Sequence, residues 1–318
     1  MELSLKNKKV LVTGGAGFIG SHLVRRLLSE QADVHVLVRA STNTARIADQ
    51  LSEITVHVAD LDDHESIKNL LNILSVDGVF HLAAANQSFV ERPTFADMAR
   101  TNIVSTIMLM EEVAKTDIDF FVNTGSFVEY GPQEDFFSEN KSLAPMDLYA
   151  ISRVPSTLYT KTLGQYEKKP FVEVRVFTPY GPFMEKGKVI ETIIASALRN
   201  EPIKLTRPNV VRDYIFIEDL VELYIRASVG ATTFKGSVWN GGSGVSTSLE
   251  EVARSIIDLT NSTSEIAWSN QDISFDSVLW KADLTKVNVE LGWTPSHSFA
   301  KGIERTVEWF KENPHQWR

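Results

Sequence analysis

Apolar residues in the first half of the chain fall into short continuous runs, separated by longer stretches with helical spacing. Val10-Leu11-Val12, Val36-Leu37-Val38, Val79-Phe80-His81-Leu82 and Phe120-Phe121-Val122 are runs of the kind expected for parallel strands covered on both faces. Around them the pattern predicts strands at residues 9–14, 33–39, 54–60, 78–84, 119–126 and 171–177. Helices are predicted near 18–29, 63–72, 94–115 and 146–166. Such alternation implies right-handed βαβ units in an α/β fold with one doubly wound parallel sheet. Ligands of such sheets sit at the carboxyl ends of the strands. After residue 177 the pattern loosens at Pro179, Gly181 and Pro182. Residues 237–242 read as one more strand, and 249–259 and 299–310 as amphipathic helices. The expected division is a sheet domain at 1–177 and a smaller α/β domain, mainly 178–318, with the chain returning to the sheet around 214–242.

The turn after the first strand adds chemistry. Gly14, Gly17 and Gly20 let the backbone turn tightly, approach a pyrophosphate and pack a helix on a strand. Residues 21–28 continue with helical spacing, so the free N–H groups near Phe18 and Ile19 face the phosphates. This is a Rossmann dinucleotide site. An acidic residue at the end of the second strand would select NAD, and an arginine there accommodates the 2′-phosphate of NADP. That strand ends Val38-Arg39-Ala40-Ser41-Thr42, with no carboxylate at its tip. Arg39 offers a planar donor fork, and Ser41, Thr42 and Arg46 offer further donors, so NADP(H) is expected over NAD.

Composition narrows the field. The chain has 318 residues, 43% of them hydrophobic, enough for a substantial core. Forty-one acidic against 32 basic residues give a formal charge of −9, the opposite of the basic excess a nucleic-acid binder carries. With no cysteine, disulfides, zinc-thiolate sites and cysteine nucleophiles are excluded, and a cytoplasmic location is expected. The first residues run directly into a strand, leaving no room for a signal peptide, and no apolar run approaches the ~20 residues of a membrane span. The histidines show no metal-ligand spacing, and no metal is expected.

A second constellation lies further on. Thr124-Gly125-Ser126 ends the fifth strand, and Leu148-Tyr149-Ala150-Ile151-Ser152-Arg153 begins a helix. Tyr149 and Arg153 are four residues apart and share one helix face. A tyrosine and a cation beside a strand-end serine form a proton-transfer site, with the cation favouring phenolate and lowering the tyrosine pKa. Pro155 should kink or locally open this helix, and a bend would accommodate the longer arginine side chain.

The glycine loop, His81-Leu82-Ala83-Ala84, Thr101-Asn102-Ile103-Val104-Ser105-Thr106, Ser126 followed by Tyr130-Gly131, Tyr149, and Arg212-Asp213-Tyr214 occur in one order. From about residue 8 to Trp309 the chain resembles the extended short-chain dehydrogenase/reductase family, in its nucleotide-sugar epimerase/dehydratase branch. The resemblance implies Tyr149 as acid/base, Ser126 as its hydroxyl partner, and the three glycines under the cofactor pyrophosphate. It implies Asp60 and Leu61 by the adenine, Ala83 and Ala84 beneath the cofactor, and Phe177 among the cofactor contacts. The family's usual Tyr-x-x-x-Lys is Tyr-x-x-x-Arg here. Arg153 keeps the charge that would hold the nicotinamide ribose, but it is bulkier and does not deprotonate.

Dehydratases of this branch resemble one another in an Asp-Glu pair directly after the active-site hydroxyl residue. Phe127 and Val128 stand there, and neither carries a proton, while Glu129 should point to the other face. Sugar dehydration is therefore not expected. The leading expectation is an NADPH-dependent reductase of a keto group on a nucleotide-diphosphate sugar, such as a 4-keto-6-deoxyhexose. A nucleotide-sugar epimerase with tightly held NAD(P), and a non-catalytic NADP-binding protein, stay open beside it. Arg212 matches the family's diphosphate-binding arginine, and Lys281 would add a second charge. Asn86 enters a loop over the sugar, and Thr178 stands where relatives often have asparagine. Met98, Ile103, Ile107, Met108, Leu109 and Met110 form a broad apolar stripe on a helix that pairs across a two-fold axis in relatives, so a homodimer is expected.

Overall fold

The computed structural model describes residues 4–86, 93–132, 135–269 and 280–316. Its main sheet has seven strands, all parallel: β1 (Lys9–Thr13), β2 (Asp33–Val38), β3 (Thr55–Val58), β4 (Gly78–His81), β5 (Phe120–Ser126), β6 (Phe171–Val176) and, much later in the chain, β10 (Val238–Gly241). Their order is β10-β6-β5-β4-β1-β2-β3. The chain leaves β1 in one direction through β2 and β3 and in the other through β4, β5 and β6. The resulting switch point lies at the carboxyl ends of β1 and β4, where a Rossmann sheet takes its ligand.

Several strands stop short of the sequence-based ranges at their carboxyl ends. Gly14, Arg39 and residues 82–84 lie beyond the last paired residue, because there the backbone turns toward the ligand side instead of continuing the ladder. Both faces of the sheet are covered. Helices α1 (Phe18–Ser29) and α7 (Ile217–Gly230) pack against each other over one face, and α2 (His64–Leu74), α4 (Thr106–Ala114) and α5 (Leu148–Gln165) lie over the other. The adjacent residues Phe120 and Phe121 serve opposite faces. Phe120 packs on Phe80 at 5.0 Å between ring centroids, and Phe121 stacks on Phe171 at 4.6 Å. Gly78 lets the Phe120 ring lie across β4, since a Cβ there would overlap it.

The stretch expected as one helix near 94–115 has three parts. After a single α turn, α3 (Phe95–Met98), the chain widens into a π-helical segment at Ala99–Ser105 and then continues as α4. Hydroxyls take up the shifted ladder, with Ser105 Oγ donating to the Arg100 carbonyl at 3.0 Å and Thr106 Oγ1 to that of Thr101 at 3.0 Å. Such bulges are frequent at functional sites. Here it turns Asn102 and Thr106 into the interior, both fully buried. Pro155 does not open α5, which runs unbroken through it. The carbonyl deprived of its donor is that of Ile151, on the exposed side of the helix.

Beyond β6 lies a smaller assembly. β7 (Thr178–Tyr180) pairs parallel with β9 (Val211–Phe216), which pairs antiparallel with β11 (Ser246–Ser248). β8 (Ile203–Leu205) pairs with β12 (Ile266–Trp268). α6 (Val189–Leu198), α8 (Leu249–Thr260) and α10 (Phe299–Glu312) pack together there, while α9 (Thr285–Leu291) returns to α7. Among the described residues no helix is long and apolar enough to cross a membrane.

Phe120 is 1% exposed and spans two strands. Phe120→Ala is expected to lower the unfolding free energy by about 3–5 kcal/mol, read from the denaturant midpoint.

Candidate active site

The glycine turn is built by exclusion. Gly14 has φ +71°, and a Cβ on it would stand 2.7 Å from the Ala83 nitrogen. A Cβ on Gly20 would overlap the Gly14 carbonyl. Gly17 donates to that carbonyl at 2.9 Å and caps α1 without a side chain, which leaves the first-turn N–H groups around Phe18 and Ile19 to a ligand.

The strand ends beside this turn are tied together by buried polar groups. Thr13 Oγ1 lies 2.7 Å from His81 Nδ1 and accepts from Ala83 N–H at 3.3 Å, while His81 Nε2 meets Thr106 Oγ1 at 3.0 Å. Burial, helped by the Arg153 charge, pushes the His81 imidazole down to about 3, so it is a neutral strut. Asn102 exchanges hydrogen bonds with Ala85, donating at 2.9 Å and accepting at 2.8 Å, and also donates to Ser152 Oγ at 2.9 Å. It thereby fixes the loop after β4, with Ala83, Ala84 and the exposed Asn86, to α5. Sequence reading named the segment holding Asn102 without a role for it; only the π-bulge turns it inward.

At the tip of β2, Arg39 is exposed and its guanidinium has no partner among the described residues, while its backbone N–H donates to Thr42 Oγ1 at 3.0 Å. Ser41 is exposed beside it. Arg46 donates through Nε to the Phe183 carbonyl at 2.8 Å. At the end of β3, Asp60 is exposed and accepts from the Asp62 N–H at 3.1 Å, and Leu61 is buried.

Asp147 caps α5 by accepting from Ala150 N–H at 2.7 Å, which sets Tyr149 in the first turn. The Tyr149 phenol meets the Ser126 side chain, and Arg153 acts on it from one turn further on. The phenol pKa is raised, not lowered as expected: burial pushes it up, and Arg153 only partly offsets this. Tyr149 is therefore a held acid in the protein alone. Arg153 is 1% exposed and points behind the strand end, where it donates to the Thr124 carbonyl. Its Nε and Nη1 are buried with no partner among the described residues. Buried unpaired donors are costly. The glycine turn, whose close approaches a Cβ would block, leaves its first-turn N–H groups open to a pyrophosphate. The residues present thus fit a bound dinucleotide.

An aromatic wall starts next to Ser126. Phe127 stacks on Phe177 at 5.3 Å and meets Trp280 edge-on at 4.8 Å. The Arg212 guanidinium lies 5.5 Å over Trp280, and the Lys281 ammonium 4.6 Å over Phe136. One wall therefore brings Arg212, Phe177 and Ser126 together, with Lys281 next in chain to Trp280. Asp213 does not pair with Arg212; its buried carboxylate accepts from Gly244 N–H at 2.9 Å and Ala282 N–H at 3.0 Å. Thr178 is half-buried in β7 opposite Tyr214. Glu129 turns inward in the short 3-10 turn after β5 and is fully buried.

Residues 10–242 match the NAD dependent epimerase/dehydratase family. The chain belongs to this family. It is 30% identical over 314 residues to a putative UDP-glucose 4-epimerase of Methanocaldococcus jannaschii, covering 96% of this chain and 99% of that one. It is 26% identical to dTDP-D-glucose 4,6-dehydratase of Mus musculus, over 98% of this chain and 91% of that one. Among solved structures, UDP-glucose 4-epimerase of Thermotoga maritima with UDP-glucose superposes with a TM-score of 0.87 at 25% identity, covering 96% and 99% of the two chains.

As a member of the epimerase/dehydratase family, the protein is an extended short-chain dehydrogenase/reductase enzyme that works with a nicotinamide dinucleotide. Phe127 and Val128 directly follow Ser126, and the Glu129 carboxyl faces the interior. Asn102→Ala removes the ties that hold the Ala83–Ala85 loop. It is expected to weaken dinucleotide binding about tenfold, with calorimetry as the check.

Proposed function

We propose that the enzyme is an NADPH-dependent reductase of a keto group on a nucleotide-diphosphate sugar, of the 4-keto-6-deoxyhexose kind. The observation that carries this reading is Arg39, whose guanidinium has no partner among the described residues, at the tip of β2 where no carboxylate follows in the sequence. It favours a 2′-phosphate, and NADPH is the form consumed in net reduction. The raised pKa of Tyr149 supports the same direction, because a protonated phenol is what a ketone reduction needs.

When bound along Gly14–Gly20, NADPH supplies the hydride that reaches the carbonyl carbon. Tyr149 gives its proton to the developing alkoxide, Ser126 donates a hydrogen bond to the same oxygen, and Arg153 faces the phenolate that results. Arg212 and Lys281 hold the diphosphate, and Asn86 and Thr178 border the sugar. Asp60, Leu61, Ala83, Ala84 and Phe177 line the cofactor. In this reading residues 1–177, with the returning β10, form the cofactor domain, and the rest is mainly the substrate domain. The exposed Val104, Ile151 and Leu158, on neighbouring helical segments, support a homodimer.

An epimerase is the second reading, favoured by the Methanocaldococcus jannaschii relative. The test is NADPH oxidation against UDP-, GDP-, CDP- and dTDP-linked 4-keto sugars. Stoichiometric oxidation is expected, and sugar interconversion without net oxidation would replace the reductase by the epimerase. Tyr149→Phe should lower kcat by about 10²–10⁴ with NADPH affinity nearly unchanged. Arg39→Ala should weaken NADPH binding about tenfold or more and leave NADH binding as it was, by titration of each cofactor.

A further inference from the structure

Behind Ser126, Thr157 stands between two buried carboxyl groups. Its Oγ1 lies 2.7 Å from Glu129 Oε2 and 2.8 Å from Glu173 Oε1. A hydroxyl has one proton to donate, so it satisfies one carboxylate. The other contact is a hydrogen bond only if that carboxyl is protonated and donates to the hydroxyl oxygen. The remaining contacts decide between them. Glu129 accepts from the Ser126 backbone N–H at 2.6 Å and from Arg175 Nη2 at 3.3 Å, so it is the ionised acceptor. Glu173 accepts from Asn123 Nδ2 at 2.7 Å through Oε2, and its Oε1 stays 3.6 Å from Arg175, free to carry the proton. Hydrogen bonds then run one way, from Glu173 through Thr157 to Glu129, which takes the N–H of Ser126.

We propose that Glu129 is a positioning residue for Ser126, and that it holds Ser126 in place only while Glu173 keeps the proton that completes the chain through Thr157. Deprotonation would leave two carboxylates facing one hydroxyl proton in the interior. Burial and the Glu129 charge push the Glu173 carboxyl up to about 7, against the pull of Arg175. The other titratable or charged groups facing the pair are Tyr130, 4.4 Å under the Arg175 guanidinium, Arg153 and Tyr149 on α5, Tyr224 on α7, and Glu139 beyond Tyr130. A cleft of about 190 Å³ lined by Thr157, Arg175 and Glu139 borders the cluster. The proposal rests on Ser126 and Tyr149 as reacting groups, not on which sugar they meet.

The first test needs no substrate. Infrared titration of the carboxyl band in the full chain should show a carboxyl still protonated near neutrality that is missing in Glu173→Gln. Because the native state keeps a proton that the unfolded chain loses, stability from this group is present below about 4.5, the ordinary Glu value, and is lost as pH rises through about 7. Wild type should therefore lose stability relative to Glu173→Gln as pH rises over that window. In turnover, wild-type kcat should fall as pH rises through about 7, and Glu173→Gln should flatten this limb. Thr157→Val and Glu129→Ala should each lower kcat about tenfold at unchanged KM and cofactor affinity. A wild-type infrared titration identical to that of Glu173→Gln would overturn the proposal, as would wild-type kcat in folded Thr157→Val. A titration lost in Glu173→Gln, in a protein with epimerase but no reductase turnover, would uphold the pair and overturn only the reductase reading.

Discussion

Charge buried in a protein interior must meet partners, and the end of β5 rests on such a buried group. Glu129, Glu173 and Arg175 are at most 2% exposed, and each is held by another member or by a neutral side chain of the same cluster. A partnered cluster of this kind costs less than any rearrangement that would strand one of its charges. This constraint explains why β6, a strand buried on both faces, tolerates two ionisable residues. It also explains why the chain after Ser126 turns at once: only a tight turn brings Glu129 back under the strand to reach the Ser126 N–H.

The same turn sets the aromatic wall. With Glu129 directed inward, Phe127 is left at the reacting end, where it joins Phe177 and Trp280. Tyr130, next in the turn, is buried over Arg175 and donates to Asn240 at 2.8 Å, and Asn240 lies on the returning strand β10. The interior charge cluster, the aromatic wall and the return of the chain to the sheet are thus one packing arrangement. Arg212 joins the same wall through the Trp280 ring.

On the other side of Ser126 the arrangement is made by α5. Tyr149, Arg153 and Thr157 recur every four residues along one face, so a single helix carries the acid, the cation and the hydroxyl of the buried chain. The π-bulge before α4 serves the same helix from a neighbour, because it turns Asn102 toward Ser152 and the loop after β4. Burial governs the electrostatics throughout. It keeps His81 neutral and outweighs the pull of Arg153 on Tyr149, as desolvation does wherever opposite charge is not in direct contact.

Much was legible in the sequence because it is local. Apolar runs and helical spacing determined the strands and helices of the sheet, the three glycines determined the cradle, and the spacing of Tyr149 and Arg153 determined a shared face. The order of these motifs determined the family. What the sequence could not carry were contacts between residues far apart in the chain. Periodicity is blind to a one-residue widening of a helix, so the inward turn of Asn102 was hidden. The net direction of the Tyr149 pKa depended on how deeply the fold buries the ring, and the pairing of Glu129 with Glu173 depended on β5, β6 and α5 meeting at one hydroxyl. Tertiary structure alone decided these, because burial and hydrogen-bond partnership are properties of neighbours in space.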